Sequence, residues 1–190
     1  RSKEELNSAL VFHVKNMLQE EFLYWYRRNV MPILHRTKEV REDILNRVPV
    51  NIAASVVEFK NGYFLTQPAF YVGRRKGVQR KVKDMNEYLY RSGKNDADNK
   101  AADWFHTVGK GVIFVEPSDD DGVPYHAYAL DPRSAFVVYS LKPGKKPVMG
   151  VNFVVSDGKA RFDVFTEQYV FHLSGTTTGK MITYENNCNF

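Results

Sequence analysis

From Val112 onward the chain alternates short strand-forming runs with turn residues, and few folds other than an antiparallel sheet accommodate that rhythm. The pattern is sharpest at Leu130 to Tyr139 (LDPRSAFVVY). Asp131-Pro132 makes a turn, because proline fixes its own φ and keeps the residue before it out of the helical region. The β-branched and aromatic run Phe136-Val137-Val138-Tyr139 follows at once, which is strand chemistry. The same reading predicts strands at 112–116, 124–130, 134–140, 147–156, 159–167, 168–174 and 180–185. Asp121-Gly122, Pro143-Gly144, Asp157-Gly158 and Gly175 supply the connections between them.

Before residue 110 the period changes from two to 3.6. Ser2 with Glu5 fits a capping box. Leu6, Leu10, Val14, Leu18, Phe22 and Trp25 then recur at spacings of three and four, the mark of one apolar helix face. That face reads as core packing or contact with a partner helix. Val40, Ile44 and Val48 suggest a second helical stretch, and Val50 to Lys60 a third that stops at Asn61-Gly62. A short strand is expected at Ala69 to Val72, and further helices at Asp84 to Arg91 and Asp96 to Val108, closed by Gly109-Lys110-Gly111. Helices first and strands after predict an α+β fold, N-terminal helices followed by an antiparallel sheet. We expect a single domain over 1–190, mainly helical over 1–110 and mainly stranded over 111–190.

No motif supports a catalytic reading. Gly175 to Lys180 (GTTTGK) imitates a phosphate-binding loop, but it is one residue short, carries Met181 where Ser or Thr should hold magnesium, and joins strands instead of opening a helix. It reads as a hairpin loop. Asp119-Asp120-Asp121-Gly122 lacks the alternate-acid spacing and distal glutamate of a calcium loop, and reads as a solvated turn. His13, His35, His106, His126 and His172 have no metal-ligand spacing, and Cys188 has no nucleophile signature. The acid pairs Glu4-Glu5 and Glu20-Glu21 read as solvated helix faces. No catalytic residue, metal or cofactor is expected. The lone cysteine cannot form an internal disulfide, and no apolar run approaches the roughly 18 residues of a membrane span.

Charge is placed unevenly, with a net of +7 over residues 1–100 and −2 over 101–190. Its centre is Gly73 to Lys83 (GRRKGVQRKVK), with Arg74, Arg75, Lys76, Arg80, Lys81 and Lys83 and no acid before Asp84. Two readings stand side by side: a solvated exposed loop, or a contact for DNA or another polyanionic partner. Lysine and arginine neutralise phosphates without reading sequence. The run lacks the interleaved aromatics of a single-strand platform.

Taken in order, several segments resemble the bacteriophage portal proteins of the SPP1-like family. These are Asn46-Arg47, Val56-Val57, Gly62-Tyr63-Phe64-Leu65 with Pro68, the Gly109 to Val115 strand entry, the Leu130 to Tyr139 turn and strand, Lys146 to Phe153 (KPVMGVNF), and Asp163 to Thr166 (DVFT). The agreement runs over nearly the whole chain, although Thr66-Gln67 departs from the family's small Gly before its Lys-Pro pair and the basic run has no match. The resemblance implies the wing region of a longer protein that continues into stem, clip, tunnel-loop and crown segments, in keeping with ends at Arg1 and Phe190 that look cut. It further implies a dodecameric ring at one capsid vertex, a virion component assembled in the host cytoplasm, through which double-stranded DNA is packaged and ejected. Terminase, head-completion, scaffold and capsid proteins would be its partners, with no membrane involved and ATP hydrolysis left to the terminase. Residues 1–190 alone would then associate weakly or not at all. A free-standing basic nucleic-acid-binding module is the alternative. An enzyme domain whose catalytic residues lie elsewhere is a third reading.

Overall fold

A computed structural model describes residues 3–37, 40, 46–120, 122–178 and 181–185. The chain divides into two compact units, Asn16–Leu130 and Arg1–Lys15 with Asp131–Phe190. The boundary therefore does not fall where helices give way to strands. The first two strands belong with the helices, and the start of the first helix belongs with the larger sheet.

Helix α1 (Lys3–Arg27) opens the chain; Ser2 lies outside the described residues. The expected apolar face does not stay buried along it. Leu6 and Leu10 are buried, but Leu18, Phe22 and Trp25 are exposed. Each step of four turns 400°, so the series Leu10, Val14, Leu18, Phe22 drifts by about 40° per step off the face it started on. The inward stripe steps by four and three alternately, through buried Leu6, Leu10, His13 and Glu20 and half-buried Met17, Tyr24 and Arg27. Two polar side chains thus take core positions, and Glu20 is no part of a solvated face.

In the unit Asn16–Leu130, a 3₁₀ turn at Pro32–His35 follows α1. Residues 41–45, which carry most of the expected Val40–Val48 helix, lie outside the described residues, and Asn46 to Val50 is irregular. Helix α2 (Ile52–Phe64) is capped by Asn51, whose side chain accepts from the Ala54 N–H at 3.1 Å. It does not stop at Asn61-Gly62. Asn61 is held from outside by Asp103 and His106, so the helix runs one turn further and ends where the Leu65 N–H meets the Asn61 carbonyl. Ala69 to Val72 is not a strand. The Asn86 amide takes the place of a neighbouring strand, accepting from the Tyr71 N–H at 2.8 Å and donating to its carbonyl at 2.9 Å. That satisfies the backbone pair without a sheet.

Helix α3 (Gln79–Arg91) turns at Ser92-Gly93 into α4 (Lys94–Val108). Gly93 has φ 76°, a left-handed conformation suited to glycine. The buried Ser92 carbonyl accepts from the Ala127 N–H at 2.9 Å, tying this corner to the strands behind it. Helix α4 buries Ala97, Ala101 and Ala102, small enough for close approach of β1 (Val112–Pro117) and β2 (Tyr125–Leu130). These two strands pair antiparallel as a sheet of their own.

In the other unit, β3 (Ala135–Tyr139), β4 (Pro147–Ser156), β5 (Lys159–Thr166), β6 (Val170–Thr178) and β7 (Met181–Glu185) form an antiparallel meander in sequence order. The α+β architecture expected from the sequence is observed, with two antiparallel sheets where one was expected. Asp131-Pro132 builds the predicted turn. The Asp131 carboxylate accepts from the Arg133 N–H at 2.9 Å, and its carbonyl accepts from the N–H groups of Ser134 and Ala135. Asp157-Gly158, at φ 52° and 73°, joins Ser156 to Lys159 as a two-residue hairpin. Gly175 is not a connection: it lies inside β6, opposite Ala160. Alternation then puts Ala160, Phe162 and Val164 on one buried face, with the cross-strand row Phe153, Phe162, Leu173 at its centre. On the same face His13 stacks on Phe136 at 4.3 Å, and its Nε2 donates to the Arg133 carbonyl at 2.8 Å.

Candidate functional site

The six basic side chains do not lie on one loop. Arg74, Arg75 and Lys76 precede α3, while Arg80, Lys81 and Lys83 occupy its first turns, so the helix begins five residues earlier than the sequence suggested. Gly77 makes the bend at φ 85°, and its N–H is held by the Gln79 side chain at 2.9 Å. All six side chains are exposed. Among the described residues none of them forms an ion pair with an acid. Arg80 and Lys81 also sit at the positive end of the α3 dipole, with no acid in the first turn to offset it. Like charges held this way repel, and an approaching polyanion relieves the repulsion.

A second feature escaped sequence reasoning. An open cleft of about 1080 Å³ lies among α1, α2 and α4, lined by Tyr24, Arg28, Glu58, Lys100, Asp103 and Trp104 among others. Tyr24 and Trp104 stack at 5.4 Å, and the Arg28 guanidinium sits over the Tyr24 ring at 4.5 Å. At its base the Arg27 guanidinium donates to Asp103 Oδ2 at 2.5 Å and to Thr107 Oγ1 at 2.7 Å. Asn61 Nδ2 donates to Asp103 Oδ1 at 2.6 Å, and His106 Nδ1 donates to Asn61 Oδ1 at 2.6 Å. Both Asp103 oxygens are thus occupied, and the network holds α1, α2 and α4 together instead of offering a free base. Such a chain of partners, drawn from residues 42 to 80 positions apart, leaves no spacing signal in the sequence.

The other polar groups have structural surroundings. Glu20 is buried, with Lys110 against one carboxylate oxygen and no hydrogen-bond partner at Oε2 among the described residues. On the first hairpin Ser118 Oγ and Asp120 Oδ2 both lie 3.0 Å from His126 Nε2. A relay needs the acid on the opposite nitrogen from the hydroxyl, so these three residues do not form one. Partial desolvation, and then the Glu116 carboxylate, push the Tyr128 phenol above its ordinary value. His172 pairs with Asp163 at 2.7 Å on the exposed face of the sheet, and His35 lies in the 3₁₀ turn. No group of three metal-ligating side chains occurs among the described residues. In the imitation phosphate loop, Thr176 to Thr178 belong to β6, whereas Gly179 and Lys180 lie outside the described residues, as do Asp121 and Cys188. No helix among the described residues is long and apolar enough to cross a membrane.

The arrangement offers an exposed cationic segment and an aromatic-walled cleft, and among the described residues the one hydroxyl–imidazole contact noted above, Ser118 with His126, has no acid on the opposite ring nitrogen to complete a relay. A family model described as phage portal protein, SPP1 Gp6-like, matches residues 16–187. No curated protein matches the chain.

Proposed function

The chain belongs to the SPP1 Gp6-like phage portal proteins, and from that premise we propose that it forms the outer part of a dodecameric ring at one capsid vertex. The family is structural and non-enzymatic, and its role implies oligomeric assembly in the phage head. The reading rests on one observation, the family match across both compact units. On this account double-stranded DNA passes through the ring during packaging and ejection. Terminase docks during filling and hydrolyses ATP, head-completion proteins follow, and scaffold and capsid proteins surround the rim. Assembly takes place in the host cytoplasm, and the product resides in the virion.

Within that role we assign Arg74, Arg75, Lys76, Arg80, Lys81 and Lys83 a sequence-blind contact with duplex phosphates. Their exposure and their freedom from ion pairs among the described residues support it. The same observation favours the second reading, a basic nucleic-acid-binding module acting outside a ring. Duplex-DNA binding across a salt series, with and without all six changed to glutamine, tests the contact. Six phosphate contacts would give log affinity against log salt a slope of about −5. We expect a shallower slope, because one short segment seldom sets every charge on a phosphate, and a clear loss of binding in the glutamine variant. Superimposable curves would leave the segment with no part in holding DNA. Undiminished binding by a protein that never forms a ring would favour the module.

A further inference from the structure

We propose that the exposed apolar stripe of α2 docks on the exposed apolar stripe of α1 in a second copy of this chain. This rests on the portal reading and names one contact between neighbouring subunits in that role.

Helix α2 has two unlike sides. Asn51, Ala54, Glu58 and Asn61 line the cleft, and Val57 is buried. Ile52, Val56, Phe59 and Tyr63 recur at spacings of four, three and four about 150° around the helix from the cleft side. They are open to solvent, Phe59 at 75 % and Tyr63 at 85 % exposure, with the two rings stacked 6.4 Å apart. A helix that buries one side and leaves four large apolar residues on the other has a second surface to cover.

Among the described residues of the same unit, α1 carries another helical stripe of this kind. Leu18, Phe22 and Trp25 of α1 are exposed at 67 %, 54 % and 44 %, on the side to which the four-residue spacing carries them. The two stripes do not cover each other, since both stay open in the unit they share. They differ in shape, one presenting Phe and Tyr with β-branched neighbours, the other Leu, Phe and Trp. Unlike faces on one chain make head-to-tail contacts, the class that closes into rings, whereas a two-fold dimer needs one self-complementary face.

At about 150–250 Å² per aromatic side chain, the α2 stripe offers roughly 500 Å² and the α1 stripe roughly 400 Å². Their sum falls short of the 1,200–2,000 Å² or so that a specific stable interface buries. A single pair is therefore weak, while in a closed ring every copy covers both of its stripes and no subunit leaves without breaking two contacts.

The test uses the full-length protein with Cys188 and any other native cysteine changed to serine. Phe59→Cys and Phe22→Cys are combined and treated with a short bis-maleimide, which spans the roughly 8–10 Å between packed helix axes. The double variant is expected to give a ladder of linked multimers on a denaturing gel, and each single variant only monomer. A linked dimer from Phe59→Cys alone would mean that α2 meets α2 across a two-fold axis, and would overturn the proposal; so would an unlinked double variant. Val56→Glu added to the double variant provides a second measurement. It should abolish the ladder with an unchanged far-ultraviolet circular dichroism spectrum, and persistence of the ladder would contradict the docking. Electron microscopy of the unaltered protein separates the two levels. Rings without a ladder sink this contact and leave the portal reading intact, whereas absence of rings sinks the portal reading itself.

Discussion

Phe162→Ala is expected to cost about 3–5 kcal/mol, the range for emptying a fully enclosed phenylalanine site. Phe162 is 1 % exposed in the middle strand of the five-stranded sheet. Phe153 stands opposite it on β4, with ring centroids 5.6 Å apart, and Leu173 stands opposite on β6. Both neighbours are held by their own strand pairing, so neither can move far to fill the void. For a chain of this length the unfolding midpoint should fall by about 10 °C. Calorimetry is the suitable readout, because Trp25 and Trp104, the only two tryptophans, both belong to the other compact unit. A loss below about 1 kcal/mol would contradict the placement of Phe162 at the sheet's core.

Lys110→Met is expected to destabilise the unit Asn16–Leu130 by about 2 kcal/mol, below the range for a wholly buried pair because the Lys110 side chain is 44 % exposed. The Glu20 side chain is 4 % exposed, and Lys110 is the cation that meets it. Removing that cation leaves a buried carboxylate uncompensated, which is costlier than never burying one. The double change Glu20→Met with Lys110→Met should therefore recover most of the loss, since an apolar pair of similar volume carries no desolvation penalty. Here tryptophan fluorescence is the direct monitor, as both indoles lie in the affected unit. Equal stability of Lys110→Met and the parent would show that the carboxylate does not depend on its partner. A double variant no better than Lys110→Met would show that packing, not charge, sets the cost.

The strands were legible because their two controls are local. Pleat alternation fixes the buried face of Ala160, Phe162 and Val164, and Asp131-Pro132 and Asp157-Gly158 fix where neighbouring strands begin. Ala69 to Val72 has equally good strand composition but no neighbouring strand among the described residues, and nothing local announces that Asn86 will hold its backbone instead. Gly175 reads as a break because glycine favours turns, yet its position opposite Ala160 is set by pairing along the whole of β6. On α1, apolar residues alone suggested the wrong stripe, since the inward positions at His13 and Glu20 are polar and meet their partners, Arg133 and Phe136 for His13 and Lys110 for Glu20, far along the chain. The cleft and its Arg27–Asp103–Asn61–His106 network were invisible for the same reason: their partners meet only after α1, α2 and α4 have packed. The basic segment was legible as charge but not as shape, because Val78 supplies no side-chain cap to mark the start of α3.

A portal built from this chain should be visible by electron microscopy of the full-length protein. End-on views should show a closed ring with a central channel wide enough for duplex DNA, its outer mass accounted for by the two units described here. A preparation that stays monomeric at every concentration, or that associates only into two-fold dimers without a channel, would contradict the account.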